Sequence, residues 1–264
     1  LTIVVSKYND VLCAKTVARL FNFRLKVYTY FVDGLLVDTG PSKFAREYIE
    51  FFQSQQIRQA VLTHYHEDHS GNAPWLDNYD IPLYIHPKAL DICRQDTHLP
   101  LYRHFFWGER RGFDPLPLGA LLNGKNSDWQ VIETPGHSPD HVAIYNRERG
   151  IVFTGDLVVT PKPKLILRYE SIPQIISSLR KLVQLDFQTV FCAHAGPVAN
   201  GKEMINTKLN YLENLTGEVL KLHQQGWTVP MIKKKLFPKT VLLTYVSRKE
   251  WAAEHIIESI IRDK

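Results

Sequence analysis

Four side chains able to bind a metal fall within six residues: His64, His66, Asp68 and His69, in the run His64-Tyr65-His66-Glu67-Asp68-His69. Imidazole nitrogens and a carboxylate suit zinc or another first-row divalent cation. Three further groups, His137, Asp156 and His194, stand in matching contexts. Seven ligands are more than one tetrahedral zinc can use, so the count points to two metals and to hydrolysis.

These groups must be carried by elements that bring them together. Each ligand motif follows an apolar, strand-like run: 60–63 before the cluster, 129–133 before Thr134-Pro135-Gly136-His137, 151–154 before Asp156, and 189–193 before His194. Strand ends along one sheet edge can converge, and turns are free to aim side chains. Gly136, Gly155 and Gly196 allow sharp bends beside the ligands. Other strands are expected at 1–5, 25–32, 35–38 and 83–86, with Asp33-Gly34 as a hairpin turn. Helices are expected at 43–55, with Ser42 as N-cap, at 71–79 and at 172–185. Segment 94–126 mixes Tyr102, Phe105, Phe106 and Trp107 with arginines and prolines and reads as a lid-like insertion. Beyond His194 the texture turns helical, over 202–225, 229–236 and 248–262.

The composition sets bounds on this reading. The 264 residues are 44% hydrophobic and 22% charged, which fits a globular protein with a large core. No apolar stretch approaches the roughly 18 residues of a membrane span. The start lacks a signal-like segment, although it also lacks a methionine. Cys13, Cys93 and Cys192 are too few and too scattered for a disulfide framework, so a reducing, cytoplasmic setting is expected. Cys192 is weighed as a ligand and read instead as a buried strand residue. The net charge of +5 is weak evidence for an anionic partner, and Lys233-Lys234-Lys235 reads as a solvated helix face.

The H-x-H-x-D-H cluster, the turn Pro135-Gly136-His137-Ser138-Pro139, the turn Gly155-Asp156 and the turn His194-Ala195-Gly196 resemble the metallo-β-lactamase-fold hydrolase superfamily, with its glyoxalase II and lactonase-like members. The early acidic turn at Asp38 fits as well, and order and approximate spacing agree over residues 25–200. The resemblance implies an α/β fold, a four-layer αββα sandwich over residues 1–200, followed by a C-terminal helical extension over 201–264. It implies that His64, His66 and His137 hold one metal, that Asp68, His69 and His194 hold the other, and that Asp156 bridges them. Two zinc ions are expected, with iron or manganese as the alternatives. Two positions depart from the family pattern: Asp140 stands where many relatives have glycine, and Cys192-Ala193 replaces Pro-Gly.

Asp68 is the expected catalytic carboxylate, orienting a hydroxide and carrying a proton to the leaving group. Asp38 is expected to hold a ligand imidazole in its tautomer, with helix capping as the bland alternative. His141 is read evenly as site support or as a satisfied core residue. Tyr102, Phe106 and Trp107 would cover a partly apolar pocket suited to a small ester, thioester or lactone. Lys162, Lys164, Arg168 and Tyr169 read as exposed loop residues, or else as contacts for an anionic group. A small molecule is the expected substrate. Single-stranded RNA, cleaved by an endoribonuclease, is the first alternative, and an iron-dependent sulfur dioxygenase is another. No membrane partner is expected, and the resemblance suggests a homodimer.

Overall fold

A computed structural model describes residues 3–20 and 23–262, with the side chains of Leu20 and Phe23 left out. The first two residues of the strand expected at 1–5 therefore lie outside the described residues. The described residues build two large sheets and one small two-stranded one. The first runs in sequence order: β1 (Val4–Tyr8), β2 (Val11–Leu20), β3 (Phe23–Val32), β4 (Leu35–Val37), β5 (Gln59–Val61), β6 (Leu83–Ile85) and β7 (Leu116–Pro117). Its first four strands are antiparallel, and pairing from β4 onward is parallel. The second sheet uses β8 (Leu121–Leu122), β9 (Trp129–Glu133), β10 (Val142–Asn146), β11 (Ile151–Gly155), β13 (Thr189–Cys192) and β14 (Gly196–Val198), ordered β14-β13-β11-β10-β9-β8.

Alternation along the strands builds the layers. In β10, Val142 and Ile144 face the first sheet, while Ala143 and Tyr145 face the helices on the other side. In β13, Phe191 points between the sheets, and Val190 and Cys192 point to the helices. A strand covered on both faces reads as a continuous apolar run, which is why β10, β11 and β13 are legible in the sequence. Between the sheets Tyr30, Trp129, Phe153 and Phe191 form a buried aromatic core. Helix α1 (Ala45–Gln53), with α2 (Glu67–Ser70), α3 (Ala73–Asp77), α4 (Leu90–Cys93) and α5 (Leu101–Trp107), lies on the β1–β7 side. Helix α6 (Ile172–Val183) covers the second sheet together with α7 (Gly201–Gln224), α8 (Val229–Leu236) and α10 (Ala253–Arg262). The result is the αββα sandwich with added C-terminal helices.

The Asp33-Gly34 turn has positive φ at both residues (54° and 80°), as the hairpin requires. Ser42 departs from its expected role. Pro41 precedes a short 3-10 turn, and the Ser42 hydroxyl donates to the Glu109 carbonyl at 2.7 Å. The helix expected over 248–262 starts only at Ala253, because Arg248 and Lys249 take left-handed φ values of 49° and 66°. Ahead of it come α9 (Leu242–Val246) and β15 (Trp251–Ala252), which pairs with β12 (Ile166–Leu167) in the loop beyond Asp156. Segment 94–126 supplies α5 and an edge strand to each sheet. Among the described residues no helix is long and apolar enough to cross a membrane.

Candidate metal centre

The side chains His64, His66, Asp68, His69, His137, Asp156 and His194 come together at one edge of the sandwich. Chain leaving β5 delivers His64 and His66, and the single turn of α2 swings Asp68 and His69 back toward them. The loops after β9, β11 and β13 bring His137, Asp156 and His194. Two glycines make the approach possible. Gly136 has φ +133°, and a Cβ there would sit 2.6 Å from the Ile175 nitrogen of α6. Gly155 has φ +45°, and a Cβ there would sit 2.7 Å from His141 Nε2.

Every histidine of the cluster has the nitrogen remote from the centre engaged. His69 Nδ1 donates to Asp38 Oδ2 at 2.8 Å, and His194 Nδ1 donates to the Lys26 carbonyl at 2.5 Å. His64 Nδ1 lies 3.1 Å from Thr63 Oγ1, His66 Nε2 lies 2.7 Å from the Tyr169 hydroxyl, and His137 Nδ1 lies 3.4 Å from Glu170 Oε2. Such outer contacts set tautomer and ring orientation in metal-binding histidines. The other nitrogens converge: His64 Nε2 is 2.9 Å and His137 Nε2 is 3.0 Å from His66 Nδ1. With the remote nitrogens carrying the protons, three lone pairs meet within hydrogen-bonding distance, an arrangement that asks for a cation between them. The second group is Asp68 Oδ2, His69 Nε2 and His194 Nε2, with the two contacts of Asp68 at 3.7 and 3.3 Å. Asp156 reaches both groups, with Oδ2 3.5 Å from His137 Nε2 and 3.2 Å from His194 Nε2. His69 Nε2 and Asp156 Oδ1 are buried and face each other at 3.3 Å without forming a well-directed hydrogen bond, which leaves both free to bind a shared ligand.

Charge within the cluster is uneven. Burial and the neighbouring imidazoles hold His64 and His66 well below the usual histidine range. Burial also opposes charge on His194, but Asp156 and Asp68 outweigh it and hold this ring well above that range. Burial would raise Asp156, yet His194 and His69 keep its carboxyl well below the ordinary value.

The model of the metallo-beta-lactamase superfamily matches residues 23–194. The chain belongs to that superfamily. A probable metallo-hydrolase of Bacillus subtilis, YybB, is 34% identical over 149 residues, covering 54% of this chain and 66% of the relative. A hydroxyacylglutathione hydrolase of Psychromonas ingrahamii is 30% identical over 203 residues, covering 74% of this chain and 71% of its own. A metallo-beta-lactamase family protein of Thermus thermophilus superposes with a TM-score of 0.72 at 19% identity, over 97% of this chain and 94% of that one. At that identity the last comparison speaks for the fold alone.

Residues around the cluster support it from behind. Asp38, left-handed at φ 60°, accepts from the Thr63 amide at 2.8 Å as well as from His69. His141 accepts the Asp156 amide proton at Nε2 (3.1 Å) and donates from Nδ1 to Thr134 Oγ1 (2.8 Å). Burial pushes its pKa down to about 3, so it stays neutral and can accept. Asp140, the departure from the family pattern, is buried and takes the Tyr65 amide on Oδ2 at 2.9 Å, which fixes the backbone between His64 and His66. Cys192 faces the helical layer, outside the metal-binding groups.

A cavity of about 720 Å³ opens over the cluster. Tyr102, Phe106 and Trp107 line it, while Phe105 on the same helix is 55% exposed and points away. The Trp107 ring lies 6.3 Å from that of His194. Lys162 and Lys164 are exposed as expected and also line the cavity, whereas Tyr169 contacts His66 directly. Nothing in the residue pattern singles out Glu170 behind His137 or the pairing of Glu67 with Arg103. Glu67 was visible inside the motif, but its partner stands 36 residues away on α5. Asp38→Asn is expected to weaken metal binding about 10–100-fold, because an amide presents either an oxygen or an NH₂ group to His69 Nδ1 and carries no charge. Competition titration with a chromogenic chelator checks this, and an unchanged affinity would remove Asp38 from that role.

Proposed function

We propose that the chain is a dinuclear metal-dependent hydrolase acting on an ester or thioester bond of a small molecule. The convergence of imidazole lone pairs and two carboxylates, each histidine braced from behind, is the observation that carries this reading. In it His64, His66 and His137 hold one divalent cation, Asp68, His69 and His194 hold a second, and Asp156 is shared. The donor set of nitrogens and carboxylate oxygens fits zinc. Two such ions would supply an activated water and polarise the scissile carbonyl.

The chain's own residues do the rest. Asp68 turns Oδ2 toward His69 and His194. Through Oδ1 it holds a proton and returns it to the departing atom. Tyr102, Phe106 and Trp107 keep bulk water from the acyl group and orient it. The hydroxyacylglutathione hydrolase relative supports acyl transfer to water as the reaction class.

Chelation followed by add-back tests the reading. Hydrolysis of 4-nitrophenyl acetate is expected to vanish after dialysis against a strong chelator and to return with about two equivalents of zinc per chain. Activity indifferent to chelation would overturn the proposal. Iron in the purified protein with oxygen uptake would replace it with an iron-dependent oxygenase.

A further inference from the structure

The cavity over the cluster is divided by chemistry. Its inner wall is apolar and includes Leu167, Ile172, Ile175 and Leu212, all buried, with Leu243 and Trp251 half-buried. These come from β12, α6, α7, α9 and β15, so the C-terminal helices form part of the chamber. Two cations also belong to the inner wall, and both are committed. Arg103 is held by Glu67 and Glu250, and the Lys208 ammonium donates to the Leu157 carbonyl at 2.7 Å. The cations at the mouth are different. Arg24, Lys26, Lys162 and Lys164 line the cavity, are exposed, and form no ion pair among the described residues. The carboxylates in the lining, Asp68, Asp156 and Glu170, all face histidines of the metal cluster.

The scissile bond must lie at the cluster, between these two regions. Lys26 is tied to the cluster through its carbonyl on His194, and Lys162 and Lys164, six and eight residues past Asp156 in the chain, line the same cavity. An uncharged substrate would leave four cations unused, and a wholly polar one would leave the apolar inner wall without a partner. Resting on the hydrolase reading above, we infer that the substrate is an acyl thioester of a phosphate-bearing thiol, with a medium-length alkyl chain in the inner chamber and the phosphates at the basic mouth. The reaction balances simply. The oxygen of water bonds to the acyl carbon and the carbon–sulfur bond breaks. Sulfur leaves with the electron pair and receives a proton from the water, giving a carboxylic acid and a free thiol.

Binding tests this apart from turnover. Calorimetry on the zinc-loaded protein would use S-octyl coenzyme A and S-ethyl coenzyme A, thioethers that cannot be hydrolysed. The octyl compound is expected to bind at least about tenfold tighter, and both should weaken as salt rises. Leu243→Asp should abolish the octyl advantage while sparing the ethyl compound. The double variant Lys162→Glu, Lys164→Glu should weaken both at least about tenfold and flatten the salt dependence. Equal binding of the two thioethers, or binding of neither, overturns the inference. If such protein still binds zinc and hydrolyses 4-nitrophenyl acetate, the substrate class alone has failed. If it neither holds zinc nor hydrolyses the aryl ester, the hydrolase reading has failed with it.

Discussion

Asp156→Ala is expected to lower turnover about a thousandfold or more, equivalent to about 4 kcal/mol of lost transition-state stabilisation, and to reduce bound metal below two equivalents. Among the described residues, Asp156 is the one ligand candidate whose carboxylate lies within 3.5 Å of a histidine from each group. Its Oδ1 is buried, with His69 Nε2 at 3.3 Å. Alanine removes the shared oxygen atoms and leaves His69 and His194 with Asp68 alone. The fold should survive, because the 156 amide still donates to His141 Nε2 and β11 is anchored through Phe153 in the core. Elemental analysis, circular dichroism and kinetics on the same preparation check the three parts. Asp156→Asn sharpens the test, since it keeps the shape and removes the charge. Two tightly held metal ions in either variant would mean that Asp156 is no shared ligand.

The parts of this molecule that are legible in the sequence are those in which residue type alone carries the information. Histidines at two-residue spacing behind Ala60-Val61-Leu62 announce their chemistry locally. The strands β10, β11 and β13 announce themselves too, because burial on both faces demands unbroken apolar runs. Strand β2 does not. Its Lys15 and Arg19 interrupt the apolar pattern, and its pairing with β3 over nine residues is a tertiary fact. The same holds for Ser42, whose partner Glu109 is 67 residues away, and for Tyr169, whose contact with His66 spans 103. A local rule assigns Ser42 to a cap and Tyr169 to a loop surface. Only the folded chain gives the serine a carbonyl to hold and the tyrosine an imidazole to brace. The late start of α10 is a backbone matter, since nothing in the residue types at 248–249 forbids a helix, yet both take left-handed φ.

Arg103→Met is expected to destabilise the protein by about 3–5 kcal/mol, the usual consequence of leaving one member of a buried ion pair alone. Arg103 grips Glu67 with two parallel bonds, Nε to Oε1 at 2.6 Å and Nη2 to Oε2 at 2.7 Å, and reaches Glu250 at 3.1 Å. It thereby fastens α5 and the C-terminal segment to the short helix that carries Asp68 and His69. Burial raises the Glu67 carboxyl above its ordinary value, and Arg103 opposes that rise. Without the guanidinium the rise is larger, and this fixes the sign of the pH dependence. A carboxyl with a raised folded pKa favours the folded state at low pH and penalises it as pH climbs above the unfolded value. The deficit of Arg103→Met should therefore be greater near pH 8 than near pH 5. Urea denaturation at both values measures it, with enough zinc present to keep the metal sites saturated. The double variant Glu67→Gln, Arg103→Met should recover much of the loss, since it buries no charge, and it keeps the test open if the single variant fails to fold. A single variant within about 1 kcal/mol of the parent would place this pair among contacts that contribute little. It would also leave the position of α5 over the cavity to its apolar contacts through Phe106 and Trp107.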